Sequence, residues 1–156
     1  MIVDRRRVDD VLAAASGLRP IAIGLATVEL ERAVRELAAG TPELRFVAAA
    51  DDELLGACCR VSTTDQEVAG MALRLVLLEP ATEGLLAAAL ARWGEGPAAV
   101  YGLTAGTGEP PPLRSAIGDG PLGRGRLVIG TSRFGPHVVA LEQAARRPAL
   151  GAARVP

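Results

Sequence analysis

A chain of 156 residues, 49% of them hydrophobic, fits one compact domain or two small fused modules and leaves no room for a second independent domain. With only 3% aromatic residues, the core must be built from Ala, Val and Leu, and a pocket offers little ring surface for stacking on a base or a flavin. A formal charge of −1, with every basic residue an Arg and none of them in a long run, leaves no basic stripe for nucleic acid or a membrane surface.

The order of elements follows from periodicity. Val8, Val11, Leu12 and Ala15 recur at helical spacing, with Gly17 as a stop and Pro20 beyond it. This predicts an N-terminal helical extension over 1–20, packed on the outer side of a sheet or on a second subunit. An unbroken apolar strand follows over 21–27. Leu30, Ala33, Val34 and Leu37 then form one face of an amphipathic helix, with Glu29 and Glu31 in its first turn, where the dipole favours anions, and Gly40 at its end. After Thr41-Pro42, residues 44–50 and 55–61 read as paired strands around Asp51-Asp52-Glu53, a solvated charged turn in this reading. A polar connection over 63–70 leads into a buried strand over 71–79. A first module over 21–80 is thereby complete as β-α-β-β-β.

A connecting helix within 81–95 runs to Trp93 and the turn Gly94-Glu95-Gly96. The second module, over 96–143, opens on an apolar strand. Three consecutive prolines, Pro110-Pro111-Pro112, then forbid the helix that a complete module would need. Residues 125–130 and 137–142 read as its remaining strands, and 144–156 as a flexible tail. The segment from Gly118 to Gly123 matches the spacing of a dinucleotide-binding loop. No strand precedes it, no helix follows, and Pro121 removes an amide donor, so it is read as a plain loop.

Cys58 and Cys59 are adjacent, so their side chains point to opposite faces of a strand and do not pair with each other. They form no C-x-x-C, no apolar run reaches the roughly eighteen residues of a membrane span, and 11–15 is too short for a signal-peptide core. The expected location is the cytoplasm.

This order of elements, with Val76-Leu77-Leu78-Glu79-Pro80 and Gly94-Glu95-Gly96-Pro97-Ala98-Ala99, resembles the vicinal-oxygen-chelate superfamily, in particular the methylmalonyl-CoA-epimerase branch. The hinge between that family's two βαβββ modules reads E-L-L-x-P, a helix, then G-x-G-(I/V)-H-H. The resemblance covers 21–142 and rests on the order of elements more than on any one motif. It implies an α+β fold of paired βαβββ modules, here with the second truncated. In the family, four side chains hold a divalent metal. Their positions in this chain are Ala22, Val76, Ala98 and Val139, none of which carries a donor atom. The resemblance therefore implies the scaffold without its metal, and no cofactor is expected.

Strand alternation assigns the lining of the vacated cup. If Val76 faces inwards, so do Ala72, Arg74 and Leu78; Ala22 brings Gly24 and Ala26; Val139 brings His137 and Leu141. The candidate pocket is Ala22, Gly24, Val76, Leu78, Ala98 and Val139, with Arg74 and His137 as polar members. An Arg in a small apolar cup calls for an anion, and a lone His can act as acid or base near neutral pH. The plainer alternatives are an Arg74 paired with Asp52 or Glu53, and a His137 in solvent at the start of a strand. Glu79 is read as structural, and Tyr101, opposite in parity to Ala98, as core packing.

Two functions stay open at this point. One is a metal-independent enzyme acting on a small carboxylate or acyl-type ligand by proton-transfer, isomerase or lyase/cyclase-type chemistry, with Arg74 holding the anionic group and His137 moving the proton. The other is a non-catalytic module of the same fold that binds or sequesters a small molecule. A truncated second module leaves sheet edges to cover, so a homodimer is expected.

Overall fold

The computed structural model describes residues 1, 3–105 and 109–143; the tail at 144–156 lies outside the described residues. In chain order the elements are α1 (Arg5–Ala14), β1 (Leu18–Ala26), α2 (Leu30–Gly40), β2 (Phe46–Asp52), β3 (Ala57–Ser62), β4 (Gln66–Val68), β5 (Met71–Pro80), α3 (Leu85–Trp93), β6 (Gly96–Thr104), β7 (Gly125–Leu127) and β8 (His137–Leu141). No described helix is long and apolar enough to cross a membrane.

The strands join in one curled sheet of order β2-β3-β5-β1-β6-β8-β7, with β4 hairpinned onto β5 off this path. β1 is its centre. It runs parallel to β5, with Gly24 opposite Val76, and antiparallel to β6, with Gly24 opposite Ala99. β8 continues parallel to β6, placing His137 beside Ala99. The architecture is thus the expected α+β pairing of a full first half with a shortened second half. Among the described residues no helix lies between β6 and β7. That segment forms isolated bridges Leu113–Val128 and Gly118–Gly125 and then crosses to the first half. There Glu53 N–H donates to the Asp119 carbonyl at 3.0 Å, and Asp119 N–H donates to Glu53 Oε2 at 2.8 Å.

The connection over 63–70 is not wholly irregular. It contains β4, which turns into β5 through Ala69-Gly70, both with positive φ (49° and 79°). Positive φ at both central residues is the geometry of a two-residue hairpin. Because Ala rarely adopts it, the sequence carries no Asn-Gly or Asp-Gly signal there.

α1 and α2 cover the convex face. Asp4 caps α1 by accepting the Arg6 N–H at 2.9 Å. Val8 and Val11 pack there with Ile23, Val100, Val138 and Ala140, so the extension settles on the outer side of the sheet. Burying each valine is worth up to about 1.5–3 kcal/mol. Leu30 and Ala33 of α2 pack on Leu25 and Leu77.

The two acids of the family-like pieces both brace the start of α2. Glu79 Oε2 accepts the Leu30 N–H at 2.7 Å. Glu95 Oε1 accepts from the Thr27 hydroxyl at 2.7 Å, from the Val28 N–H at 3.0 Å, and from Arg32. Carboxylates at a helix N-terminus satisfy free amides and complement the dipole. What makes the sequence resemble the vicinal-oxygen-chelate superfamily at these points is therefore a frame that fixes α2 on the sheet.

Candidate functional site

The concave face is apolar and closed. Ala22, Val76 and Leu78 are fully buried and Val139 is nearly so, clustered with Leu55, Leu86 and Cys59. On β6 the parity follows a bulge: Gly24 pairs with Ala99 while Leu25 pairs with Pro97, leaving Ala98 as the extra residue. Ala99 and Tyr101 consequently sit among the concave-face side chains. Ala98, although buried at the margin of that cluster, also lines a cleft at the side of the molecule.

Tyr101 is 1% exposed and packs among the concave-face side chains. A methyl group built on Gly24 would stand 2.8 Å from Leu78 Cδ1, 3.0 Å from Ala99 Cβ and 3.5 Å from Tyr101 Cε2. Gly24 is what lets Leu78 and Ala99 close over β1 at this point, with the Tyr101 ring in ordinary contact beside them. The phenol donates to Asp52 Oδ2 at 2.7 Å, while Asp52 Oδ1 accepts the Leu55 N–H at 2.9 Å. Asp52 is 2% exposed, which corrects the reading of 51–53 as a solvated turn. Asp52 pairs with Ala57, which lies in the concave-face cluster, so its side chain is carried under the sheet while Asp51 stays outside. Burial pushes the Asp52 carboxyl up, against the opposing hydrogen bonds from Tyr101 and Leu55. Burial and the neighbouring carboxylate raise the Tyr101 phenol, keeping it a proton donor in the hydrogen bond. Cys59, beside this pair, is held as a thiol, pushed up to about 12 by burial and by Asp52.

His137 is not in solvent. It is 1% exposed, and its Nε2–H donates to the Leu85 carbonyl at the start of α3 at 3.3 Å. Burial lowers its pKa against that hydrogen bond, and Arg114 lowers it further, so the ring is neutral at pH 7 with its proton on Nε2. Arg74 shares the parity of Val76 but turns to the rim. Its side chain is 42% exposed, with Nε donating to Asp65 Oδ1 at 2.9 Å and Nη1 to the Ser62 carbonyl at 3.0 Å. Asp52 and Glu53 lie at the other end of β3. The structure therefore does not bring Arg74 and His137 together: one is at the rim beside β4, the other under α3.

The family's metal does not fit this face. Ala22, Val76, Ala98 and Val139 offer no donor, and among the described residues no three His, Cys, Asp or Glu side chains group as ligands. Nor is any described buried side-chain polar atom left without a partner. A vacated ion site would leave such orphans.

An open cleft of about 140 Å³ lies instead at the side of the molecule, between α1, the end of α3 and the loop before β8. Its walls include Arg7 and Val11 from one side and Trp93, Pro97 and Phe134 from the other. Arg7 donates to the carbonyls of Glu95 (2.8 Å), Pro97 (3.0 Å) and Trp93 (3.2 Å), which fixes the α3–β6 turn against α1. Desolvation lowers its pKa, opposed by Asp4.

Sequence reasoning missed the Asp52–Tyr101 pair. A usable signal was present: the chain's one Tyr lies in an apolar strand, where a buried hydroxyl requires a partner.

No family model matches the sequence, and no curated protein does. Solved structures do match. A variant of Streptomyces coelicolor methylmalonyl-CoA epimerase, in complex with 2-nitronate-propionyl-CoA, superposes with a TM-score of 0.57 at 20% identity, over 81% of this chain and 99% of that one. Methylmalonyl-CoA epimerase from Mycobacterium tuberculosis gives 0.55 at 17%, over 83% and 90%. A hypothetical protein from Bacillus halodurans gives 0.55 at 16%, over 81% and 96%. At these identities the likeness establishes architecture, and it agrees with the strand order and curled sheet described above: the chain has the vicinal-oxygen-chelate fold.

Proposed function

We propose that this chain is a small-molecule-binding module of the vicinal-oxygen-chelate fold, taking a small carboxylate or acyl-type ligand without the divalent metal of the superfamily it resembles. The observation that carries this reading is the concave face itself, where Tyr101 is buried and donates to Asp52 and where Ala22, Val76, Ala98 and Val139 carry no donor atom. A concave face filled by its own side chains speaks against metal-assisted turnover there. Free Cys58 and Cys59 support a reducing compartment such as the cytoplasm. We further propose a homodimer. β2 is an outer strand whose apolar Val47 is 51% exposed, and an exposed apolar edge invites pairing with a second copy.

Native mass spectrometry of protein purified without added metal tests the reading. A metal-free chain carrying or accepting a small acidic ligand is expected; one metal ion per chain overturns it.

One observation favours a second reading, an isomerase- or lyase-like enzyme. His137 is buried and its Nε2–H donates to the Leu85 carbonyl, so Nδ1 is the ring's acceptor nitrogen. In that case Arg74 would have to leave Asp65 to hold the anion. Replacing both Arg74 and His137 by Ala separates the two readings: turnover is lost under the second, and ligand binding persists under the first.

A further inference from the structure

Residues 119–124 form a closed loop whose two ends are pinned together. Gly118 N–H donates to the Gly125 carbonyl at 3.0 Å, and Gly125 N–H to the Gly118 carbonyl at 2.9 Å. This base belongs to the second half of the sheet: a methyl group on Gly125 would stand 2.9 Å from the Ala140 carbonyl oxygen, and Glu142 N–H donates to the Arg124 carbonyl at 2.8 Å. The loop itself is held to the first half by much less. Its ties are the two exposed Glu53–Asp119 hydrogen bonds, the approach of Gly118 to Leu54, and Leu122 laid on the concave-face cluster. Of the described residues 109–124, Gly118 alone is buried. Compact loops with close ends and exposed hydrogen bonds sit at the low-stability end of a fold and move as units.

Beneath the loop lies the Asp52–Tyr101 pair. A methyl group on Gly120 would stand 3.5 Å from Asp52 Oδ2, the oxygen that accepts from Tyr101. Asp52 is 2% exposed, and Cys59, in the concave-face cluster, is 1% exposed. A buried carboxylate gains more from renewed contact with water than any apolar group does. Uncovering Asp52 therefore offsets part of what is lost when the loop lifts, and lowers the cost of opening at this place.

We propose that 119–124 is a flap that hinges at the Gly118–Gly125 bridge, opens while the rest of the sheet stays folded, and gives a ligand its way to Asp52 and the concave face. This rests on the reading of the chain as a small-molecule-binding module and assigns that module an entrance, in the segment between β6 and β7.

Amide hydrogen exchange in low urea, corrected for intrinsic rates, tests the motion. The Glu53 N–H donates to the flap, and the Val128 N–H donates to Val138 within the sheet. Glu53 should exchange roughly tenfold or more faster than Val128, with little dependence on urea, as a local opening requires. G118A, whose methyl would stand 2.8 Å from Leu54 Cγ, should speed Glu53 exchange about tenfold further. E53A adds no bulk and removes the acceptor of the Asp119 N–H, so it should speed exchange at position 53 about fivefold. G40A, whose methyl meets nothing, should leave the exchange at Glu53 unchanged. Equal rates and equal urea dependence at Glu53 and Val128 overturn the proposal. Iodoacetamide labelling of Cys59 in the C58S protein then tests the entrance. Labelling that follows Glu53 exchange, and quickens in G118A, supports it; labelling that follows Val128 exchange overturns it. A small acidic ligand found by native mass spectrometry on a protein whose Cys59 follows Val128 keeps the binding reading without this entrance. Cys59 labelling that follows Glu53 in a protein that takes up no ligand keeps the opening and removes the binding reading.

Discussion

Replacing Tyr101 by Phe removes one oxygen and leaves Asp52 Oδ2 buried with no donor, while Oδ1 keeps the Leu55 N–H. A hydrogen bond to a charged acceptor contributes about 1.5–3 kcal/mol, and Y101F should lose that much. Asp52→Asn behaves differently. The amide oxygen can keep the Leu55 N–H while the NH2 group donates to the phenol oxygen, and the cost of burying a charge disappears, so D52N should stay within about 1 kcal/mol of the parent. In the D52N background, Y101F should then cost only the about 1 kcal/mol of a neutral hydrogen bond, a coupling of about 1–2 kcal/mol in the double-mutant cycle. Urea unfolding of the four proteins, followed by circular dichroism, measures each corner. The pH dependence supplies a second check. The folded-state pKa of Asp52 is raised, so its contribution to stability is fully present below the unfolded carboxylate range and is lost as pH rises through the folded value. D52N should remove that loss. A Y101F variant within about 0.5 kcal/mol of the parent, or one equally costly in both backgrounds, would refute the view that this pair closes the cup.

Glu95 predicts the opposite sign. Burial raises its pKa, but the hydrogen bonds from Val28, Arg32 and Thr27 outweigh burial and hold the carboxyl at about 2. Its stabilisation is present above the unfolded pKa and fades as pH falls from about 4.5 towards about 2. With its side chain partly open to solvent, E95Q should cost on the order of 1–2 kcal/mol at pH 7 and progressively less at pH 4 and 3; a constant gap in denaturant unfolding across that range would count against it. For the assembly, sedimentation at micromolar concentration should show a dimer, and V47K on the outer strand β2 should shift it to monomer. A monomeric parent, or a V47K dimer, argues against pairing through that edge.

Much of the architecture was legible because it is local. Period-two alternation on β1, β5 and β8 put Ala22, Gly24, Val76, Leu78 and Val139 on one face without reference to their neighbours. The break at Pro110-Pro111-Pro112 removed a helix by backbone chemistry alone. Cys58 and Cys59 likewise part to opposite faces, Cys59 buried in the concave-face cluster and Cys58 packed beside the convex-face one.

The rest depended on contacts distant in the chain. A one-residue bulge on β6 reversed the parity that counting from Ala98 assigns, and put Tyr101 into the cup. The acid that meets Tyr101 lies 49 residues away, at the end of β2, inside what reads locally as a charged turn. Arg74 and Asp65 meet because β4 hairpins onto β5, through a turn whose positive-φ alanine gives no sequence signal. The cleft exists only where α1 settles on β6 and β8 against a loop more than a hundred residues later. Sequence patterning fixes which face of an element is apolar. Which elements meet, and in what register, is decided by the hydrogen-bond ladder and by packing, which no local window contains.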